Sequence, residues 1–158
     1  MNTISDNNGE GLTLSLHESY IYSNIISNNL RGLLLYGGDS ACVISTNQIQ
    51  ENDIGIHVVN ARYTIQNNNF IHNTKQADIQ KEASLLGSPL LPFFRQNWEN
   101  NYWDDWNKPI PKPITGSGVV YIYLLIGGGY KEIPIAYFIF LEFDWHPAQK
   151  PYDVPVIS

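Results

Sequence analysis

Along residues 2–81 the apolar positions come in groups of two or three, separated by asparagine and glycine, and the groups recur. Ile4, Ile26, Ile49 and Phe70 align at spacings of 22, 23 and 21 residues. Two positions before these anchors stand Asn2, Asn24, Asn47 and Asn68, and three positions after them Asn7, Asn29, Asn52 and Asn73. Ile21, Ile44 and Ile65 stand five before the later anchors. Gly32 and Gly55 introduce the alternating pairs Leu33/Leu35 and Ile56/Val58, and Gln76 takes the glycine's place before Ala77/Ile79. With one inserted residue the first segment fits too, through Gly11 and Leu12/Leu14.

A short period of this kind marks a solenoid. Strands of a few residues, each ended by a turn residue, close into a coil whose inward side chains meet those of the next coil. The expected fold is all-β, a right-handed single-stranded parallel β-helix of about 3.5 coils. Asn7, Asn29, Asn52 and Asn73 are expected to form a structural ladder. Asparagine tolerates the left-handed conformation of a turn, and its amide can bond its counterpart one coil away. Glycine is assigned to the other turn for the same steric reason. A leucine-rich repeat is the weaker alternative, because its Leu-x-x-Leu-x-Leu core is missing.

The pattern changes near residue 85. All nine prolines and all four tryptophans lie beyond it. The apolar runs Val119–Ile126 and Ile133–Leu141 are separated by Gly127-Gly128-Gly129 and Lys131-Glu132. Rich in β-branched and aromatic residues, and far short of the roughly 18 residues of a membrane helix, they predict a β-hairpin and no membrane span. The organisation expected is therefore coils over 1–81 and a Trp/Pro-rich C-terminal cap over 82–158.

Charge and cysteine narrow the function classes. The net charge of -6 carries no basic cluster, which argues against nucleic acid and anionic lipid as partners. Cys42 is the single cysteine, so the chain holds no internal disulfide and its redox compartment stays open. Met1 is followed by Asn-Thr-Ile-Ser, without signal-peptide character. Asn2 and Ile4 enter the repeat in mid-pattern, so further coils upstream, or self-association through an open first coil, are the expected partners of that end.

With the repeat in hand, the chain resembles parallel β-helix proteins of the NosD type. The segment Asn97-Trp98-Glu99-Asn100-Asn101-Tyr102-Trp103-Asp104-Asp105-Trp106, with Pro109 to Pro113, looks like the closing segment of microbial surface members. Phe143-Asp144-Trp145-His146-Pro147-Ala148, with Pro151-Tyr152-Asp153, looks like their C-terminal signature. The resemblance implies an extracellular or cell-surface module, of a kind associated with carbohydrate or copper binding.

Copper wants converging His, Cys or Met ligands. His17, His57 and His72 fall at different coil positions, and Cys42 adjoins none of them, so no metal or other cofactor is assigned. Glu51–His72 and His57–Asp78 stand one coil apart and could form acid–base pairs, but they are weighed against a solvated outer face. Catalytic β-helices need converging carboxylates, or calcium-binding aspartates with a basic residue. Asp104 and Asp105 are sequential, so if extended they point to opposite sides, and Arg31 has Ile54 and Lys75 as its column neighbours, so no catalytic residue is assigned. The fragment of a polysaccharide lyase or hydrolase, with its catalytic coils upstream, is the alternative. For a polysaccharide or glycan partner the candidate residues are Trp98, Tyr102, Trp103, Asp105 and Trp106, since flat rings stack on sugars and polar neighbours take hydroxyls. The same rings could instead cover the last coil, as every solenoid requires.

Overall fold

The computed structural model describes residues 1–15, 18–37, 42–84 and 95–154. Its strands stack as three faces of a parallel β-helix. The anchor face is a five-stranded sheet of β1 (Thr3–Ser5), β4 (Ile25–Ser27), β7 (Gln48–Gln50), β10 (Asn69–Ile71) and β13 (Tyr102–Trp103). The second face stacks β2 (Glu10–Leu14), β5 (Arg31–Tyr36), β8 (Ile54–Val59) and β11 (Lys75–Ser84). The third stacks β3 (Tyr20–Tyr22), β6 (Val43–Ser45), β9 (Thr64–Gln66) and β12 (Asn97–Glu99).

Register follows the repeat. Ile4, Ile26, Ile49 and Phe70 are successive partners, and so are Ile21, Ile44 and Ile65. Ile26, Ile44, Ile49, Ile65 and Phe70 are wholly buried, each a side chain whose burial is worth about 1.5–3 kcal/mol. Stacking continues beyond residue 81. Ile65 pairs with Trp98 and Phe70 with Trp103, so Trp98-x-x-Asn101-x-Trp103 is a further turn of the same repeat. The offset there is 33 residues instead of about 22.

Two corrections concern the turns. Left-handed residues stand one position before the inward asparagines: Ser23, Thr46, Asn67 and Asn100 at one corner, and Asp6, Asn28, Glu51 and His72 at the other. The ladder asparagines are held by hydrogen bonds instead. Asn47 donates from its backbone N and its Nδ2 to Asn68 Oδ1, both at 3.0 Å, and Nδ2 also reaches the carbonyls of Ile21 and Ser45. Asn29, Asn52 and Asn73 repeat this link at the second corner, with amide contacts of 3.0 and 2.9 Å. These bonds satisfy amides that are 0–8 % exposed and offset the cost of a side chain in the left-handed region. The glycines serve close approach, not a left-handed turn. A Cβ at Gly32 would sit 2.6 Å from Gly55 O, and one at Gly55 2.6 Å from Gln76 O.

The last two strands close the stack. β14 (Lys112–Ile126) lies parallel on β11 from Gly116 to Tyr121, and β15 (Gly129–Asp144) returns antiparallel to it. Gly127 and Gly128 supply the positive φ of the two-residue turn. β15 then meets β12 through Asp144 and Trp98, joining the second and third faces into one ten-stranded sheet.

Candidate functional site

The Trp-rich segment is divided between core and surface by its position in the coil. Trp103 occupies the anchor position and stacks on Phe70, ring centroids 4.3 Å apart and planes within 7°. Trp98 occupies the position of Ile65 one coil on. Both are at most 2 % exposed. Neither presents an open ring face at the surface, which corrects the expectation of an exposed aromatic platform. Their periodic spacing from Asn101 was the available signal, obscured by the longer offset.

A buried indole N–H needs an acceptor. β15 supplies two, on alternate inward positions. Trp98 Nε1 donates to Glu142 Oε2 at 2.9 Å, and Trp103 Nε1 to Asp144 Oδ2 at 3.0 Å. Asp144 also ends the first asparagine ladder, accepting from Asn101 N and Nδ2 at 3.0 and 3.1 Å. Each ladder amide donates in one direction along the stack, so the last one requires a group with acceptors only. Glu142 takes a further bond from Gln96 N and an ion pair from Lys81 at 2.8 Å, with both charged side chains at most 4 % exposed. The Lys81 ammonium also lies 4.1 Å from the Phe140 ring centre. Sequence reading missed Lys81, Glu142 and Asp144 as a set, because nothing in the repeat points 40 to 60 residues downstream.

The second ladder ends differently. Asn73 Nδ2 donates to Gln76 Oε1 at 2.7 Å, and Gln76 Nε2 donates to Asp104. Gln76 can replace the glycine here because its side chain fills the place of the next ladder amide. Asp104 also accepts from His72 N at 2.6 Å. Asp105 turns the other way and pairs with Lys112 at 2.9 Å. The Lys112 ammonium lies 5.3 Å from the ring centres of both Trp103 and Trp106.

These residues frame a cleft of about 330 Å³ between the turn into β11 and the start of β14. Thr74, Lys75, Gln76, Asp105, Lys112 and Thr115 line it, with Trp103 at its base. Trp106 is half-buried, its Nε1 bonded to Ile110 O at 3.0 Å, and Lys108 lies 4.8 Å from its ring centre. Tyr102 lies on the outer side of the anchor face, away from this cleft, where it bridges to Ala148 of the C-terminal tail. Asn69, beside it in register, clamps that tail by exchanging 2.8 Å bonds with the Tyr152 backbone. Thus Trp103, Asp105 and, through Lys112, Trp106 come together; Trp98 and Tyr102 do not join them.

The histidine pairs are outside the cleft. His57 Nδ1 lies 2.8 Å from Asp78 Oδ2, off the N–H axis of a straight hydrogen bond. His57 and Lys75 hold the Asp78 carboxyl down at about 2. Glu51 and His72 are exposed, and His72 approaches Asp104 at 3.6 Å. His146 faces Glu99 at 3.8 Å. Among the described residues no three His, Cys, Asp or Glu side chains are grouped as ion ligands. His17 lies outside the described residues.

The stacked faces and paired amide ladders define a parallel β-helix repeat protein. A family model described as periplasmic copper-binding protein (NosD) matches residues 1–108 of the 158, and the chain belongs to that family. The match runs through the fifth anchor, Trp103, and stops before the hairpin. Comparison with curated proteins and with solved structures finds no match. The donors for copper do not converge: the described histidines each face a carboxylate, and Cys42 is buried in the core. Among the described residues no helix is long and apolar enough to cross a membrane.

Proposed function

We propose that this chain is a non-catalytic β-helix module of the cell envelope or exterior that binds a glycan in the cleft between its last regular coil and its cap. The cleft carries the proposal. It has the volume of a small-ligand site, and the threonine hydroxyls, amide, carboxylate and ammonium groups that line it match the donors and acceptors of sugar hydroxyls. The coil stack below it is a rigid support. Elsewhere in the cap, Asp104, Glu142 and Asp144 are committed to structural partners.

The test is a glycan array on the purified chain, repeated with Thr115→Arg. Thr115 is exposed on the cleft wall, so the larger side chain should cut binding at least tenfold with an unchanged melting temperature. Undiminished binding by the variant places the glycan elsewhere. Release of reducing ends or of unsaturated sugar from the bound glycan overturns the non-catalytic part and favours a lyase or hydrolase.

A further inference from the structure

The cleft leaves the far half of the hairpin unexplained. Among the described residues, β14 is supported by β11 only as far as Tyr121, opposite Ser84. Beyond that point β14 and β15 pair with each other to the turn at Gly127-Gly128. At the supported end the inner face is packed, with Gly116 and Gly118 bare because the rings of Phe140 and Phe138 lie across them, and apolar exposure is confined to the outer face, where Tyr137, Ile139 and Leu141 are 78 %, 78 % and 49 % exposed. The free end is different. Between Val120 and Tyr121 the register slips, leaving Ile135 as an unpaired bulge residue, which switches the alternation of β15 beyond it while that of β14 runs on.

Past the bulge, apolar side chains stand on both faces. At the tip, Leu125 and its partner Tyr130 are 67 % and 78 % exposed on one side and Ile126 is 47 % exposed on the other, while Leu124 and Ile133, at 40 % and 37 %, stand level with Lys131 and just below Glu132. A protein surface docking against a sheet covers one face, and pairing along an edge covers neither. Burial of both faces calls for an apolar medium that surrounds the tip. Charge sets the depth. Between Pro113 and Leu141 the only ionic residues are Lys131 and Glu132, placed opposite Leu124 and Tyr123. They leave an uncharged tip about 10 Å long at the strand rise of ~3.3 Å per residue, the depth to which interfacial segments enter the headgroup and acyl boundary. Tyr123, paired with Glu132, stands at its base, where amphipathic rings favour a membrane interface.

We infer that the β14–β15 tip inserts into the interfacial layer of a lipid bilayer and anchors the module to it. The contact is apolar, so its lipid is zwitterionic: the net charge of -6 and the lack of a basic cluster give anionic headgroups no partner. This inference does not depend on the cleft.

Co-sedimentation of the full chain with sucrose-loaded phosphatidylcholine vesicles tests it. The chain should pellet with the vesicles, and a Leu125→Asp/Ile126→Asp double substitution should reduce the bound fraction at least tenfold. Its melting temperature should stay unchanged, because the tip contributes nothing to the core. Thr115→Arg should bind vesicles as the native chain does, which separates this outcome from failure of the cleft. A chain that stays in the supernatant, a tip variant that binds equally, or binding only to vesicles containing phosphatidylglycerol would each overturn the proposal. So would a dimer in sedimentation velocity that the tip substitutions dissolve while vesicles fail to bind, since that assigns the tip to a second copy.

Discussion

The coil stack and the terminal hairpin are both β structure, but they satisfy their backbones in opposite ways. Strands of three to six residues in the regular coils, such as β4, β5 and β7, find partners about a coil away on either side and depend on them completely. β14 and β15, at 15 and 16 residues, are each other's principal partner across a two-residue turn. The stack is therefore a chain of non-local contacts in which a lesion is felt by the coils on both sides. The hairpin is local over its free half, and among the described residues only its base is tied to the core. Polar groups follow the same division. In the stack, buried amides bond their equivalents; at the hairpin base, buried charges bond groups unlike themselves.

The sharpest break of this comparison is Ile49→Asp. It places an unpaired carboxylate in a position that is 0 % exposed, at a cost of several kcal/mol, about 4 or more. Circular dichroism should show the whole domain unfolded. A folded variant would mean that the anchor column is not the core.

Next in size is Glu142→Gln, which leaves Lys81 buried without its counter-charge and costs about 3 kcal/mol. Adding Lys81→Met should recover most of that loss, because it removes the stranded charge. Denaturant unfolding of the single and double variants reads the difference, and the absence of any rescue would deny the ion pair its role.

Acid gives a smaller and graded effect on the outer face of the stack. The Asp78 carboxyl is held at about 2, against an ordinary value of 3.8. A depressed folded value means that the ionised form stabilises the fold above the unfolded value, and that this contribution fades as pH falls from about 4 to about 2. With the His57 and Asp78 side chains 11 % and 19 % exposed, the pair is worth about 1–2 kcal/mol once solvent screening is allowed for. Comparing the native chain with His57→Gln across that window should show a shallower acid slope in the variant.

The smallest expected change is Asn28→Asp, within about 0.5 kcal/mol. Asn28 is exposed and left-handed at φ 55, a conformation aspartate also tolerates. Its neighbour Asn29, buried in the ladder, is the sensitive one. Thermal melts of Asn28→Asp and Asn29→Asp side by side would expose any error in assigning which of the two faces inward.

Much of the coil stack was legible in the sequence because every strand meets its equivalent at a nearly constant offset. A period of about 22 residues carries register, inward face and turn position together. The columns Ile4 to Phe70 and the two asparagine columns were read correctly as positions for that reason. Their turn conformations were not, because a repeat shows which residue recurs and not which φ it adopts. The hairpin was legible as two apolar runs around a glycine turn, though both strands extend further than the runs do.

What the sequence determined by itself, then, was the period, and with it a parallel β-helix whose apolar columns face inward. Tertiary structure alone decided the fate of the cap. Trp98 and Trp103 carry the repeat's spacing within their own segment, but the 33-residue offset hides them from a periodic search. Only the stacking of β12 on β9 and β13 on β10 makes them core residues. Their acceptors, Glu142 and Asp144, arrive from a strand 44 and 41 residues away. A repeat encodes what is translationally equivalent. The end of a solenoid has no equivalent to bond, so its closing contacts are set by whichever distant segment folds back over it.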